Sequence, residues 1–252
     1  MNVKDNTILI TGGASGIGRR LAESFHKLGN QVIISGRRQQ ALDEVTAANP
    51  GMQSQRVDIG DPAEVAAFAD QIIARYPNLN VLINNAGIME PEDIVAAPGY
   101  LDIAERTISI NLLGPIRLTA ALLPHLLAQP RAAIVTVSSG LAFVPMAATP
   151  TYSATKAAIH SYSMSLRHQL RHTSVEVIEI VPPYVQTHLM GEHQASDPNA
   201  MPLEDFITEV MQLLSSQTDA AEVVVGRCVP LRFAAENGKL GAMFQAINGG
   251  QH

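Results

Sequence analysis

The chain has 252 residues, 46% of them hydrophobic, which is enough apolar material for a sizeable core. Its 17 Lys+Arg against 23 Asp+Glu give a formal charge of −6, which argues against a non-specific nucleic-acid binder or a protein that docks on anionic membranes. The single cysteine, Cys228, leaves no intramolecular disulfide framework and no thiolate cluster, and no His or carboxylate spacing points to a metal.

The amino terminus, Met1 to Asn6, is polar and leads into a short apolar run, unlike a signal peptide. Nowhere do ~18 consecutive apolar residues occur, so no membrane span is expected and the protein is read as soluble and cytoplasmic. Thr7–Ile10, Gln31–Ser35, Gln53–Val57, Val81–Asn84, Ala132–Val137 and Glu176–Val181 read as strands, mostly without polar alternation, and Glu222–Val225 reads as a further one. Strands that are apolar on both faces need cover on both faces, as in a parallel sheet between helices. Helical spacing fills the gaps. Gly18–Leu28 carries Leu21, Ala22, Phe25 and Leu28 on one stripe, and Asp61-Pro62 is a helix start ahead of Val65, Phe68, Ala69, Ile72 and Ile73. Ile116–Leu127 and Ala154–Leu170 are long and periodic. The alternation predicts an α/β fold: one Rossmann-like domain over residues 1–252, a doubly wound parallel sheet with helices on both faces. Met89–Tyr100 and Pro183–Pro202 lack periodicity and follow strand ends, where ligands bind in such sheets; residues 183–202 are the expected substrate loop.

The first strand runs through Thr11-Gly12-Gly13-Ala14-Ser15-Gly16-Ile17-Gly18 straight into a helix. Glycines let the backbone turn sharply and approach a pyrophosphate, whose charge is met by free N–H groups at the helix start. The spacing is Gly-x-x-x-Gly-x-Gly, and tight strand-to-helix packing alone could use the same residues. After the second strand, Arg37 and Arg38 stand where an acid would contact a ribose hydroxyl. Guanidinium pairs well with a 2′-phosphate, so NADP(H) is expected over NAD(H); the plainer reading is that both arginines solvate a helix start. Asp58 is a candidate adenine contact, or else a helix cap.

Tyr152 and Lys156 lie four apart and share a helix face. Ser139 precedes Tyr152 by thirteen residues, Asn84-Asn85-Ala86-Gly87 ends the fourth strand, and Asn111 sits in the next helical segment. In this order and spacing, over roughly residues 5 to 190, the chain resembles the classical short-chain dehydrogenase/reductase (SDR) family. Ser138–Pro145 and Val181–Leu189 look most like its DltE-type oxidoreductase subgroup. The resemblance implies an NAD(P)-dependent oxidoreductase moving a hydride between a nicotinamide and a carbonyl or alcohol, with Asn111, Ser139, Tyr152 and Lys156 as the catalytic set. It places the cofactor on Gly12, Ala14, Ser15, Gly16, Ile17 and Gly18, on Asp58 and Ile59, and on Asn85, Ala86 and Gly87. Tyr152, Lys156, Pro182, Val185 and Thr187 complete that set.

A free phenol is roughly 0.1% ionised at neutral pH, and an ammonium ~4 Å away is expected to lower its pKa by about three units. Tyr152 would then exchange a proton with the substrate oxygen, Ser139 would hydrogen-bond that oxygen, and Asn111 would hold a water linking Lys156 to solvent. Leu141, Phe143, Val144 and Met146, with His188, Leu189 and Met190, suggest an apolar pocket for an uncharged carbonyl compound, or else ordinary core. Two departures from the family pattern stand out. Pro182-Pro183 replaces Pro-Gly, and residues 226–252, with Arg227, Arg232, Lys239 and a helix expected over Leu240–Ile247, replace a glycine-rich tail. A homodimer through the Ile116–Leu127 and Ala154–Leu170 helices is therefore expected ahead of a tetramer. The alternative to an enzyme is a non-catalytic NADP-binding sensor; an epimerase or dehydratase would carry a different glycine spacing and a longer substrate domain.

Overall fold

The computed structural model describes residues 1–96, 98–217 and 219–249. Strands β1 (Thr7–Thr11), β2 (Gln31–Gly36), β3 (Gln53–Arg56), β4 (Leu79–Asn84), β5 (Ala132–Val137), β6 (Val175–Val181) and β7 (Glu222–Val224) form one parallel sheet in the order β3-β2-β1-β4-β5-β6-β7. Helices α1 (Gly16–Lys27), α2 (Gln39–Ala48), α3 (Pro62–Arg75), α4 (Tyr100–Ile108) and α5 (Gly114–Leu127) connect the strands as far as β5. They are followed by α6 (Pro150–Leu170), α7 (Glu192–Ser196), α8 (Leu203–Ser216), α9 (Val229–Arg232) and α10 (Leu240–Asn248).

The apolar runs are continuous because each strand feeds two cores. Ile8 and Ile10 of β1 join Leu21 and Phe25 of α1 and Phe206 of α8 on one face. Leu9, between them, joins Phe68 and Ile72 of α3 and Leu118 and Leu122 of α5 on the other. Strand order reverses between β1 and β4, and the crevice at the carboxyl ends of these two strands is where an open α/β sheet binds ligands.

The expected strands all form, with ends shifted by at most two residues, and the helices expected at Gly18, Ile116 and Ala154 start two to four residues earlier. Asp61 caps α3 as predicted, Oδ1 accepting from the N–H groups of Ala63 and Glu64 at 2.7 and 3.1 Å. That leaves Asp58 with a different local role from the cap envisaged for it: its Oδ1 accepts from Gly60 N at 2.9 Å. Residues 183–202 are more ordered than a plain loop. They contain α7 and a parallel bridge between Val185 and Met201. Of the Met89–Tyr100 stretch, Ala97 lies outside the described residues.

Between α4 and α5, Ser109–Leu113 forms a π-helical turn. Pro115 follows, and because proline has no N–H, the carbonyl of Asn111 lacks its α-helical donor. The continuous helical run Tyr100–Leu127 is long and apolar enough by composition to cross a membrane. Here Leu118, Leu122 and Leu126 of that run pack into the core beside α3 and the sheet.

Candidate active site

A cleft of about 700 Å³ opens over the carboxyl ends of the strands, within the range of small-molecule and cofactor sites. Its floor begins at the β1–α1 turn. Gly12 has φ +67°, and a Cβ there would lie 2.9 Å from the Cα of Ala86. A Cβ on Gly18 would lie 2.4 Å from the carbonyl oxygen of Gly12 and 2.3 Å from Asn85 Nδ2, so the turn can sit this close to the β4 end only as glycine. Gly13, not singled out from sequence, is under the same constraint, because a Cβ there would lie 2.6 Å from the Ile34 side chain. Thr11 ties the two strand ends together: its Oγ1 accepts from Asn85 N and Ala86 N at 3.0 and 3.1 Å, while Asn85 Nδ2 donates to Thr11 O at 2.9 Å.

Gly12, Ala14, Ser15, Gly16 and Ile17 line the cleft, whereas Gly18 packs beneath it. The Ser15 side chain makes no capping bond to α1, and the first turn of the helix carries no acid. Its amino end therefore presents N–H groups and positive dipole to an anion. Arg37 and Arg38 border the same end, with Arg38 Nη2 3.5 Å from Ser15 Oγ. Among the described residues, no carboxylate pairs with either arginine. Asp58, Ile59, Asn85, Ala86 and Gly87 form the middle wall. Uncapped helix end, glycine turn and arginines without a carboxylate partner together fit the phosphates of a dinucleotide.

At the far end, Ser139, Tyr152 and Lys156 converge. Ser139 Oγ accepts from Leu141 N at 3.1 Å and hydrogen-bonds the Tyr152 hydroxyl. Ser138, its neighbour, points instead to Ile180 O. Lys156 Nζ lies 5.5 Å from the Tyr152 ring centroid and donates to Val137 O at 2.8 Å. The expected lowering of the phenol pKa is not found in the free chain. Burial pushes Tyr152 up to about 12, against the Ser139 hydrogen bond, and pushes Lys156 down to about 8, against the charge of Glu179. Both groups are dry and the ammonium is directed at a carbonyl, so desolvation outweighs their mutual attraction.

Asn111 lies outside the main cleft. Its amide is engaged mainly by Ile88, Oδ1 accepting from Ile88 N at 2.9 Å and Nδ2 donating to Ile88 O at 2.8 Å, with a longer bond from Nδ2 to Thr155 Oγ1 at 3.5 Å. A cavity of about 10 Å³, one water in size, is lined by Asn84, Asn111, Pro115 and Lys156. Asn84 Oδ1 is buried there without a partner.

The loop after β6 closes the cleft. Pro182, Val185 and Thr187 line it, as does Pro183. Gln194, buried on α7, donates to Val185 O at 2.8 Å and to Thr187 Oγ1 at 3.1 Å, fixing Thr187 over the glycine turn at Gly16. Of the expected apolar substrate wall, only His188 and Leu189 reach the cleft. Val144 is fully buried in the fold and Phe143 packs against His160 and Arg232, so the ordinary-core reading holds for this part of the wall. His188 is a loop residue 3.4 Å from the exposed Glu192. Residues 226–249 buttress the 140–149 segment: Leu231 and Cys228 pack on Gly140, and Asn248 Oδ1 accepts from Ala147 N. Residues 250–252 of the expected tail lie outside the described residues.

A short chain dehydrogenase family model matches residues 6–198. The chain belongs to the short-chain dehydrogenase/reductase family. It is 48% identical over 189 residues, 75% of each chain, to the uncharacterized oxidoreductase DltE of Bacillus subtilis (strain 168), which places it with the DltE-like SDRs. SDR family member 7B of Bos taurus is 33% identical over 197 residues, 74% of this chain and 60% of that one. A short-chain dehydrogenase from Burkholderia cenocepacia J2315, solved in complex with NADP, has a TM-score of 0.82 at 25% identity and covers 97% of this chain and 99% of its own.

Besides Gly13 and Gln194, Glu92 and Glu179 also carry no role in the sequence motifs. Glu92, 7% exposed, accepts from Thr151 N and Thr151 Oγ1 at 3.0 and 2.6 Å and so anchors the start of α6, one residue before Tyr152. Glu179 is the buried one of two acids in β6, the other being the exposed Glu176, and an acid within the apolar stretch Val177–Val181 was a usable signal.

Proposed function

We propose that this SDR is a soluble, cytoplasmic, single-domain oxidoreductase that uses NADP(H) to interconvert a carbonyl compound and its alcohol. The observation that carries the reading is the meeting of Ser139, Tyr152 and Lys156 at one end of a cleft whose other end is the glycine turn. The turn from Gly12 to Ile17 and the open end of α1 would hold the pyrophosphate, with Arg37 and Arg38 on the 2′-phosphate and Asp58 and Ile59 near the adenine. The wall of Asn85, Ala86 and Gly87 would continue the site, and Pro182, Val185 and Thr187 would cover its far end. When bound, the nicotinamide supplies or accepts the hydride.

The remaining chemistry belongs to the chain. A phenol pushed up to about 12 is fully protonated at neutral pH, so Tyr152 is an acid held ready to give its proton to the oxygen of a carbonyl as the carbonyl carbon takes up hydride. Ser139 Oγ would donate to the same oxygen and stabilise its growing charge. Lys156, with a pKa near 8, is mostly cationic at neutral pH and favours the tyrosinate left behind. The water-sized cavity beside Asn84, Asn111 and Lys156 offers a route for the proton's return. Leu101, Ile108, Leu113 and Met164 are exposed apolar groups on α4, the π turn and α6, which favours a dimer through this face.

The purified chain mixed with NADPH and a panel of uncharged aldehydes and ketones is expected to consume reduced cofactor, with NADH a poorer donor. Cofactor binding with no turnover across the panel, and none with alcohols plus NADP⁺, would leave a binding-only sensor instead.

A further inference from the structure

Behind Lys156 lies a second group of ionisable side chains that the proposed chemistry does not use. Tyr152, Lys156 and His160 recur every four residues and stack on one face of α6. His160 Nδ1 lies 2.8 Å from Glu179 Oε2. Glu179 is 0% exposed and sits opposite Thr136 on β5, one step before Val137, whose carbonyl receives the Lys156 hydrogen bond. On the other side it faces Glu222 across the β6–β7 ladder, so two carboxylates share one patch of sheet.

The ligand atoms of His160, Glu179 and Glu222 lie within 4.8 Å of one another. A cation site is disfavoured because Arg232 already grips both oxygens of Glu222, through Nε and Nη2. Glu222 thus has its own counter-ion and Glu179 does not. Glu179 Oε1 has no hydrogen-bond partner, and among the described residues no Arg or Lys forms an ion pair with it. Around Glu179 stand His160, Lys156 and Arg167 from α6, Glu222 from β7 and Arg232 from α9. Arg167 is committed to the carbonyls of Val177 and Ala221, and Arg232 to Glu222 and Glu236. A buried carboxylate left without a cation is expensive, which leaves Lys156 and His160 to balance it.

We infer that Glu179, held in orientation by His160, is the buried counter-charge that keeps Lys156 an ammonium beside Tyr152. Glu179 is a positioning residue: it touches no reacting atom and acts through Lys156. Its negative charge opposes the effect of burial on that lysine. The inference rests on the reading of Lys156 as part of the reacting set, but it can be tested without turnover.

The chain has four lysines, Lys4, Lys27, Lys156 and Lys239, so side-chain resonances of ¹³C-labelled lysine can be assigned by single substitutions. In Glu179→Gln the midpoint for Lys156 is expected to fall by about one pH unit or more, and Glu179→Asp is expected to restore most of it. The alkaline limb of carbonyl reduction should move down by the same interval, whereas a merely structural loss would lower activity equally at every pH. An unchanged Lys156 midpoint with a displaced His160 titration would overturn the inference, showing that Glu179 serves the histidine alone. Should Glu179→Gln not fold, Lys156→Met in glutamate-labelled chain reads the coupling from the other side. The Glu179 carboxyl is then expected to titrate about one unit higher, and an unmoved Glu179 would overturn the inference.

Discussion

Replacing Thr11 by valine probes the contact that locks the glycine turn to the fold. Thr11 is 1% exposed, and its Oγ1 is the acceptor for Asn85 N at 3.0 Å and Ala86 N at 3.1 Å. Valine keeps the shape and removes the acceptor, so two main-chain donors at the end of β4 lose their partner. An orphaned buried donor costs about 1–3 kcal/mol, and because Asn85 and Ala86 are only partly buried the lower part of that range applies to each. The added methyl returns at most about 0.8 kcal/mol. A net loss of about 1–3 kcal/mol follows, seen in urea unfolding as a lower midpoint at unchanged slope. Since Gly12 packs on Ala86, cofactor affinity should weaken in parallel, while kcat at saturating cofactor stays close to wild type because Ser139 and Tyr152 lie on other elements. A stability change under about 0.5 kcal/mol, or a loss of kcat with cofactor binding intact, would refute the reasoning.

Three further outcomes are expected. Glu92→Ala strips both acceptors from Thr151 at the start of α6 and should cost about 2 kcal/mol in urea unfolding together with a fall in kcat, since Tyr152 is the next residue. Burial lowers Lys156 from 10.5 to about 8, so between these values the unfolded chain binds the extra proton; the associated stability is fully present above pH 10.5 and is lost as pH falls through 8. Relative to Lys156→Met, wild type should therefore gain about 3 kcal/mol in unfolding free energy on going from neutral pH to 10.5, and parallel curves would contradict the buried-ammonium picture. Arg37→Asp should move the kcat/KM ratio for NADPH over NADH toward NADH by at least tenfold, and an unmoved ratio would remove Arg37 from the phosphate clamp.

Much of the architecture was legible because the strands are apolar on both faces and the glycine turn falls directly after the first of them. Elements whose signal is weak or conditional were harder to read. Helix α7 is five residues inside a polar stretch, and its buried Gln194 gains meaning only by reaching Val185 and Thr187. The convergence of Ser139, Tyr152 and Lys156 was legible from spacing, because Tyr152 and Lys156 share a helix face and Ser139 follows a strand end. Its supports were not, since they depend on pairings far apart in the chain: Asn111 with Ile88, Glu92 with Thr151, Glu179 with His160. The phenol shows the same limit. Spacing reveals that an ammonium is near, but only three-dimensional burial reveals that desolvation wins over it.

The sharpest probe of the proposed chemistry is single-turnover reduction of a carbonyl substrate by Tyr152→Phe, alongside NADPH binding followed by fluorescence. Cofactor affinity should match wild type while reduction slows by at least three orders of magnitude, because the acid beside the substrate oxygen has gone. Reduction at near the wild-type rate would contradict the role assigned to Tyr152.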